Sequence, residues 1–202
     1  MKKDGVRAGQ AAATRAGIVA AAKRLFQAQG YADTPIDEIV AEAGVTRGAL
    51  YHHFKDKGAL FREVFHAVEH ELMQRAEPPD VTGEADPWRR FRLRMQGFLD
   101  AIVAPSVHRV LLLDGPLVLG WAQWRTLEAD YGLAAIGRAL DAAMANGSVA
   151  RAPVRALSHL ILAAVDEAAL MIAHAADRPA ARAEAGQALD RFLAGIAVRP
   201  DI

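Results

Sequence analysis

The sequence predicts an all-α protein: a small N-terminal helix-turn-helix domain followed by a larger C-terminal helical domain. Three observations carry this expectation. Apolar residues recur at three- and four-residue spacing along most of the chain, without strand-like alternation or an internal repeat. Capping residues, glycines and prolines cut that pattern into helices of ordinary length. Between Thr34 and Lys57, two short capped helices follow one another across a glycine turn, which is the order of a helix-turn-helix unit.

Met1 to Ala13 has no clear apolar period and reads as a flexible basic arm, with Lys2, Lys3 and Arg7 as candidate phosphate or minor-groove contacts. The first helix is expected from Thr14 to Gln29, with Ile18, Ala22, Leu25 and Phe26 as its core stripe and Gly30 as its stop. Thr34 reads as the N-cap of the second helix and Pro35 as its first residue, because proline has no N–H to leave unpaired there. Asp37 and Glu38 then meet the positive helix end, Ile36, Ile39 and Val40 form an apolar stripe, and Gly44 turns the chain sharply. Thr46 caps the third helix. Leu50 and Phe54, four apart, are expected to face the core, while Arg47, Tyr51 and His52 point elsewhere. Asp56 caps the fourth helix, expected over 57–76 and ~30 Å long, with Phe61, Val64, Phe65, Val68 and Leu72 on one side. Lys57 in its first turn opposes the helix dipole, which points to an external anion.

Glu77-Pro78-Pro79-Asp80, continuing to Gly83, reads as a linker. A helix from Asp86 to Val103 carries Trp88, Phe91, Met95, Phe98, Leu99 and Ile102, with Pro105 beyond its end. Val107 to Leu113 is a short apolar segment, and Asp114-Gly115-Pro116 marks a break before a long helix from Leu117 to Ala145, closed by Asn146-Gly147. Pro153 to Ala176 is apolar on nearly every face and needs cover on more than one side. A second subunit supplies that cover if this helix and the last one, Ala180 to Ala197, form a four-helix dimer interface. The expected domains are 1–56, the helix-turn-helix with its N-terminal arm, and 57–202, the helical remainder that carries the dimer interface, with the fourth helix connecting them.

Composition narrows the chemistry. The absence of cysteine from the 202 residues excludes disulfides, thiol catalysis and cysteine zinc sites, and makes a reducing cytoplasm the default compartment. The N-terminus has no apolar signal-peptide core, and the longest apolar stretches are broken by His159, Asp166 and Glu167 or by Asp114, Gly115 and Pro116, so no membrane span is expected. Net charge is zero, yet Met1 to Leu60 carries nine Lys and Arg against six Asp and Glu. The excess of +3 falls on the helix-turn-helix, as phosphate binding requires.

Short capped helices around a glycine also occur in bundles that do not bind DNA, so the side chains matter. Arg47 is the candidate base reader, since a guanidinium donates two hydrogen bonds to guanine in the major groove. Gly48 lets the backbone approach the groove, and Thr46 starts the helix. The run Ala21-Ala22-Lys23-Arg24-Leu25-Phe26, Gly30-Tyr31, Thr34-Pro35-Ile36, Ile39, Ala43-Gly44-Val45 and Gly48-Ala49-Leu50-Tyr51-His52-His53-Phe54-Lys55-Asp56-Lys57 resembles the DNA-binding domain of the TetR/AcrR family of bacterial repressors. The resemblance implies that Thr34, Tyr51, His52 and Lys57 are phosphate contacts. It also implies a non-enzymatic homodimer on a palindromic operator, without cofactor, released when a small apolar or amphipathic effector binds between the fourth and eighth helices.

Trp88, Phe98, His108, Trp121, Trp124, Asp166 and Met171 are candidates for the effector pocket, with core packing as the alternative for each. Asp166 stands out, because a carboxylate in an all-apolar helix needs a partner: Arg155, another subunit or a ligand. Two other functions are consistent with the residues. One is a DNA-binding protein without an effector, constitutive or architectural. The other is a metal-dependent hydrolase using His66, Glu69 and His70, which match the H-x-x-E-H pattern but lie opposite the apolar stripe of their helix, on what reads as a solvated face.

Overall fold

The computed structural model describes residues 2–76, 83–102 and 104–198. Their helices are α1 (Lys2–Gln29), α2 (Ile36–Ala43), α3 (Arg47–His53), α4 (Lys57–Arg75), α5 (Pro87–Ile102), α6 (Pro105–His108), a π-helical turn (Arg109–Asp114), α7 (Gly115–Leu119), α8 (Trp121–Ala145), α9 (Val154–His174) and α10 (Arg178–Ala194). The only extended pairing among the described residues is an isolated antiparallel bridge between Val149 and Ala197. The expected linker, residues 77–82, lies outside the described residues.

The chain divides into two compact units, Met1–His70 with Pro105–Gly120, and Glu71–Ala104 with Trp121–Ile202. The boundary expected at residue 56 therefore falls inside the first unit, because the buried stripe of α4 continues the core of the helix-turn-helix. In that unit α1 packs on α2, α3, α6 and the π turn. Its core holds Ile18, Phe26, Ile39, Leu50, Phe61 and Phe65, all fully buried. Phe26, Phe61 and Tyr31 form an aromatic trio with ring centroids 5.2–5.6 Å apart, which ties α1, the turn after it and α4 together.

Several boundaries differ from expectation. The N-terminal arm is helical from Lys2, since alanine-rich sequence without proline propagates a helix even where no apolar stripe marks it. The cap of α2 is Pro35 rather than Thr34. Helical structure also persists through Asp114-Gly115-Pro116, because a proline in the first turn of α7 loses no hydrogen bond. The break falls instead at Gly120, whose φ of 78° suits only glycine well.

In the second unit α5, α8, α9 and α10 pack as a helical bundle. Trp88 stacks on Phe91 at 5.1 Å and donates its indole N–H to the Leu193 carbonyl at 2.9 Å, so one side chain joins α5 to α10. Arg92 makes two bonds to Asp190, at 3.0 and 2.8 Å, across the same pair of helices. α8 and α9 meet closely: a Cβ on Gly132 would lie 2.7 Å from Leu162 Cδ1. α9 does have the length and apolar composition of a membrane span, contrary to expectation, although half of that stretch is buried within the bundle.

Candidate nucleic-acid interface

The local sequence builds α2 and α3 as a rigid pair. Gly44, at φ 64°, closes α2 in the left-handed conformation, and its N–H bonds back to Ala41 and Val40. Thr46 then accepts the Ala49 N–H at 3.2 Å, starting α3. Two side-chain bridges hold α2 against α1, Arg24 to Glu42 at 2.8 Å and Gln29 to Glu38 at 2.6 Å. α3 turns Leu50 and Phe54 inward, as their spacing predicts, and leaves Thr46, Arg47, Gly48, Tyr51 and His52 together on an exposed face.

Arg47 is pre-set on that face. Its guanidinium lies 2.8 Å from the Asp37 carboxylate and 5.8 Å from the centre of the Tyr51 ring. The Tyr51 hydroxyl first, and Asp37 second, favour its charged form and raise its pKa. Both partners of the ion pair are exposed, so solvent screens it and a competing acceptor can displace Asp37. At Gly48 an added Cβ would find only Thr46 Oγ1, 3.9 Å away. The glycine is therefore not required by packing within the chain, and its bare backbone faces outward.

The remaining expected contacts are placed differently. Thr34 is fully buried and donates its hydroxyl to the Gly30 carbonyl at 2.6 Å. It neither caps α2 nor reaches the surface, so its assignment as a phosphate contact is corrected to one of bracing the turn before α2. Lys57 donates to the Tyr31 carbonyl and sits 4.2 Å over the Tyr31 ring. Burial lowers its pKa, while Asp114 and Asp33 act against that. Asp56 caps α4 as expected, accepting the Ala59 N–H at 2.7 Å. The side chains of Lys2, Lys3 and Arg7 lie outside the described residues.

Sequence reasoning missed Asp114. Its carboxylate accepts the Tyr31 backbone N–H at 2.8 Å, so the end of the π turn anchors the turn between α1 and α2. Burial raises its pKa, countered by the Tyr31 bond and then by Arg109. The two residues are 83 apart in the chain, and no local pattern signals the pairing.

Of the expected pocket residues, Trp88 and Trp124 are buried in the second unit, whereas Trp121 and Met171 are 61% and 51% exposed. His108 is buried in the first unit. Phe98 alone of the seven lines the cleft of about 380 Å³ formed by α5, α8 and the end of α4. Asp166 has a partner that sequence reasoning did not name, Arg125 on α8 rather than Arg155. Glu69 is buried rather than on a solvated helix face, and no group of three or more His, Asp or Glu among the described residues is arranged to hold a metal.

The Asp166 carboxyl is pushed up to about 6 by burial, even though Arg125 favours its charged form. A carboxyl raised in the folded state stabilises the fold below its unfolded pKa and loses that contribution as pH rises through the folded value. Relative to Asp166→Asn, the wild-type protein should therefore lose ~2–3 kcal/mol of stability between about pH 4 and pH 7. Parallel urea titrations of the two proteins across that range check it, and a constant difference refutes the assignment.

Comparison with known proteins agrees with this geometry. Residues 18–64 match the model of bacterial regulatory proteins of the tetR family, and residues 88–196 match that of the tetracycline repressor-like C-terminal domain. The chain belongs to the TetR family. A TetR-family transcriptional regulator from Pectobacterium atrosepticum superposes with a TM-score of 0.84 at 35% identity, covering 96% of this chain and 98% of that one. The HTH-type transcriptional regulator AcrR of Shigella flexneri is 36% identical over 51% of this chain and 48% of its own length. SrpR of Pseudomonas putida, a regulator of the same type, is 32% identical over 70% of this chain and 66% of its own length. The matches thus span about half to two thirds of these curated TetR-family relatives.

Proposed function

We propose that the protein is a cytoplasmic, non-enzymatic transcriptional regulator, a repressor that a small-molecule effector releases from a palindromic operator. The exposed face of α3 carries this reading. Arg47, Gly48, Tyr51 and His52 stand beside a fully buried Leu50, so the helix is fixed by its core and offers a polar, cationic surface of the width that enters a major groove. Arg47 exchanges Asp37 for a guanine. Tyr51, His52 and the backbone around Thr46 hold phosphates, and Lys57 keeps ammonium protons beyond the one given to Tyr31.

Two copies joined through α9 and α10 place their recognition helices ~34 Å apart, one turn of DNA. The apolar side chains exposed on those helices support this pairing: Leu160, Met171 and Phe192 are 45–63% exposed. In this reading residues 1–56 meet DNA, and residues 57–202 dimerise and bind the effector. α4 contributes to both compact units, which makes it the element an effector would act through. The effector must prefer the released state, since equal affinity for both states shifts nothing.

DNA fragments selected by the purified protein supply the operator for the test. Arg47→Ala should lower the preference for selected over random DNA by roughly 10–100-fold. His52→Ala should weaken both alike. Equal losses on both DNAs for Arg47→Ala would remove it as the base reader.

A further inference from the structure

The cleft between α5, α8 and the end of α4 has an unusual charge pattern. Phe91, Met95 and Phe98 give it an apolar side, and the facing positions of α8 are alanines, which leave the space open. Three arginines line it, Arg90 and Arg94 from α5 and Arg138 from α8, and no carboxylate does among the described residues. Arg90 donates its Nε–H to the Glu84 backbone carbonyl at 3.1 Å, a neutral acceptor that leaves its charge uncompensated. The Glu84 carboxylate instead faces Arg89, at 3.3 Å. Arg90 and Arg138 thus bring positive charge to an apolar space from two helices, and an anion entering that space meets both.

We propose that this cleft binds an amphipathic anion, a small molecule with an aliphatic or aromatic body and one carboxylate-like head. The body lies on Phe91, Met95 and Phe98, and the head is drawn to Arg90 and Arg138. The volume of about 380 Å³ is in the range of small-ligand sites. A cationic or neutral compound of the same shape buries the same apolar area but gains nothing from the arginines, so charge sets selectivity. As a statement about the effector, this rests on the ligand-responsive reading above.

The test titrates the full-length protein calorimetrically with sodium decanoate, decanol and decyltrimethylammonium, which share one chain and differ in head charge. Decanoate should bind at least about tenfold more tightly than decanol, and the ammonium compound most weakly. Arg90→Gln and Arg138→Gln should each weaken decanoate severalfold and leave decanol unchanged, whereas Phe98→Ala should weaken both. Equal affinity for the three compounds, preference for the cation, or no decanoate binding overturns the proposal. Release of the selected DNA is measured in parallel. Charge-selective binding without release upholds the cleft chemistry and overturns the ligand-responsive reading. Release by the cation, insensitive to both arginine substitutions, upholds that reading and overturns the anion.

Discussion

A protein carrying Met171→Glu and Phe192→Glu together should sediment as a monomer and bind its operator roughly 10²–10⁴-fold more weakly than wild type. Both side chains are apolar yet about half exposed, and they line one groove between α9 and α10 with Ala168, Ala185 and Leu189. The bundle core is carried by other positions of these helices, including Ile161, Ile172 and Leu193, so the monomer should keep its helical content. Glutamates on the groove resist burial against a second copy, because a carboxylate loses its hydration there without gaining a partner. The affinity loss follows from linkage: once one half-site is engaged, the second binds at a high effective concentration only while the two copies are joined. Sedimentation and electrophoretic mobility measure the two effects separately. A doubly substituted protein that remains dimeric would place the interface elsewhere.

Phe61→Ala should destabilise the first unit by ~3–5 kcal/mol, a large part of the stability of a small unit. Phe61 is fully buried and touches both Phe26 and Tyr31, so its loss leaves a cavity where α1, the following turn and α4 meet. Tyr31 sits in that cavity wall with Lys57 above its ring and Asp114 on its N–H, so loosening the ring loosens both polar contacts. DNA binding should fall with the fold. Circular dichroism is the suitable probe, because Trp88, Trp121 and Trp124 all belong to the other unit and tryptophan fluorescence follows that one. A loss below about 1 kcal/mol would mean that the site collapses around the deletion.

The parts of the fold legible in the sequence are those set by local chemistry. Gly44, Thr46 and Asp56 act where their backbone and side-chain preferences place them, and the stripe Phe61, Val64, Phe65, Val68 and Leu72 is buried throughout. The exposed face of α3 follows from Leu50 and Phe54 alone. What escaped reading depends on distant partners or on competition between local options. Thr34 has a good capping side chain, yet the Gly30 carbonyl takes its hydroxyl. Pro116 suggests a stop but is tolerated in a first turn, leaving Gly120 to make the break. Arg125 answers Asp166 from 41 residues away, and Asp114 reaches Tyr31 across the chain. The rings of Trp88, Phe98, Trp121 and Trp124 suggest a pocket, but aromatics fill cores before they line clefts, and Trp88 and Trp124 do so here.

The π-helical turn gives the Asp114 contact a one-sided dependence on residue count. A π turn closes its hydrogen bonds over five residues rather than four, so it accommodates one residue more than an α-helix over the same path. Removing one residue between Arg109 and Leu113 should therefore let the segment relax to α-helix with Asp114 kept near the Tyr31 N–H. A further residue added there exceeds what one π turn absorbs and would rotate Asp114 by about 100° around the axis, turning its carboxylate away. The segment therefore tolerates a one-residue deletion, or exchange of its leucines for other apolar residues, better than a one-residue insertion.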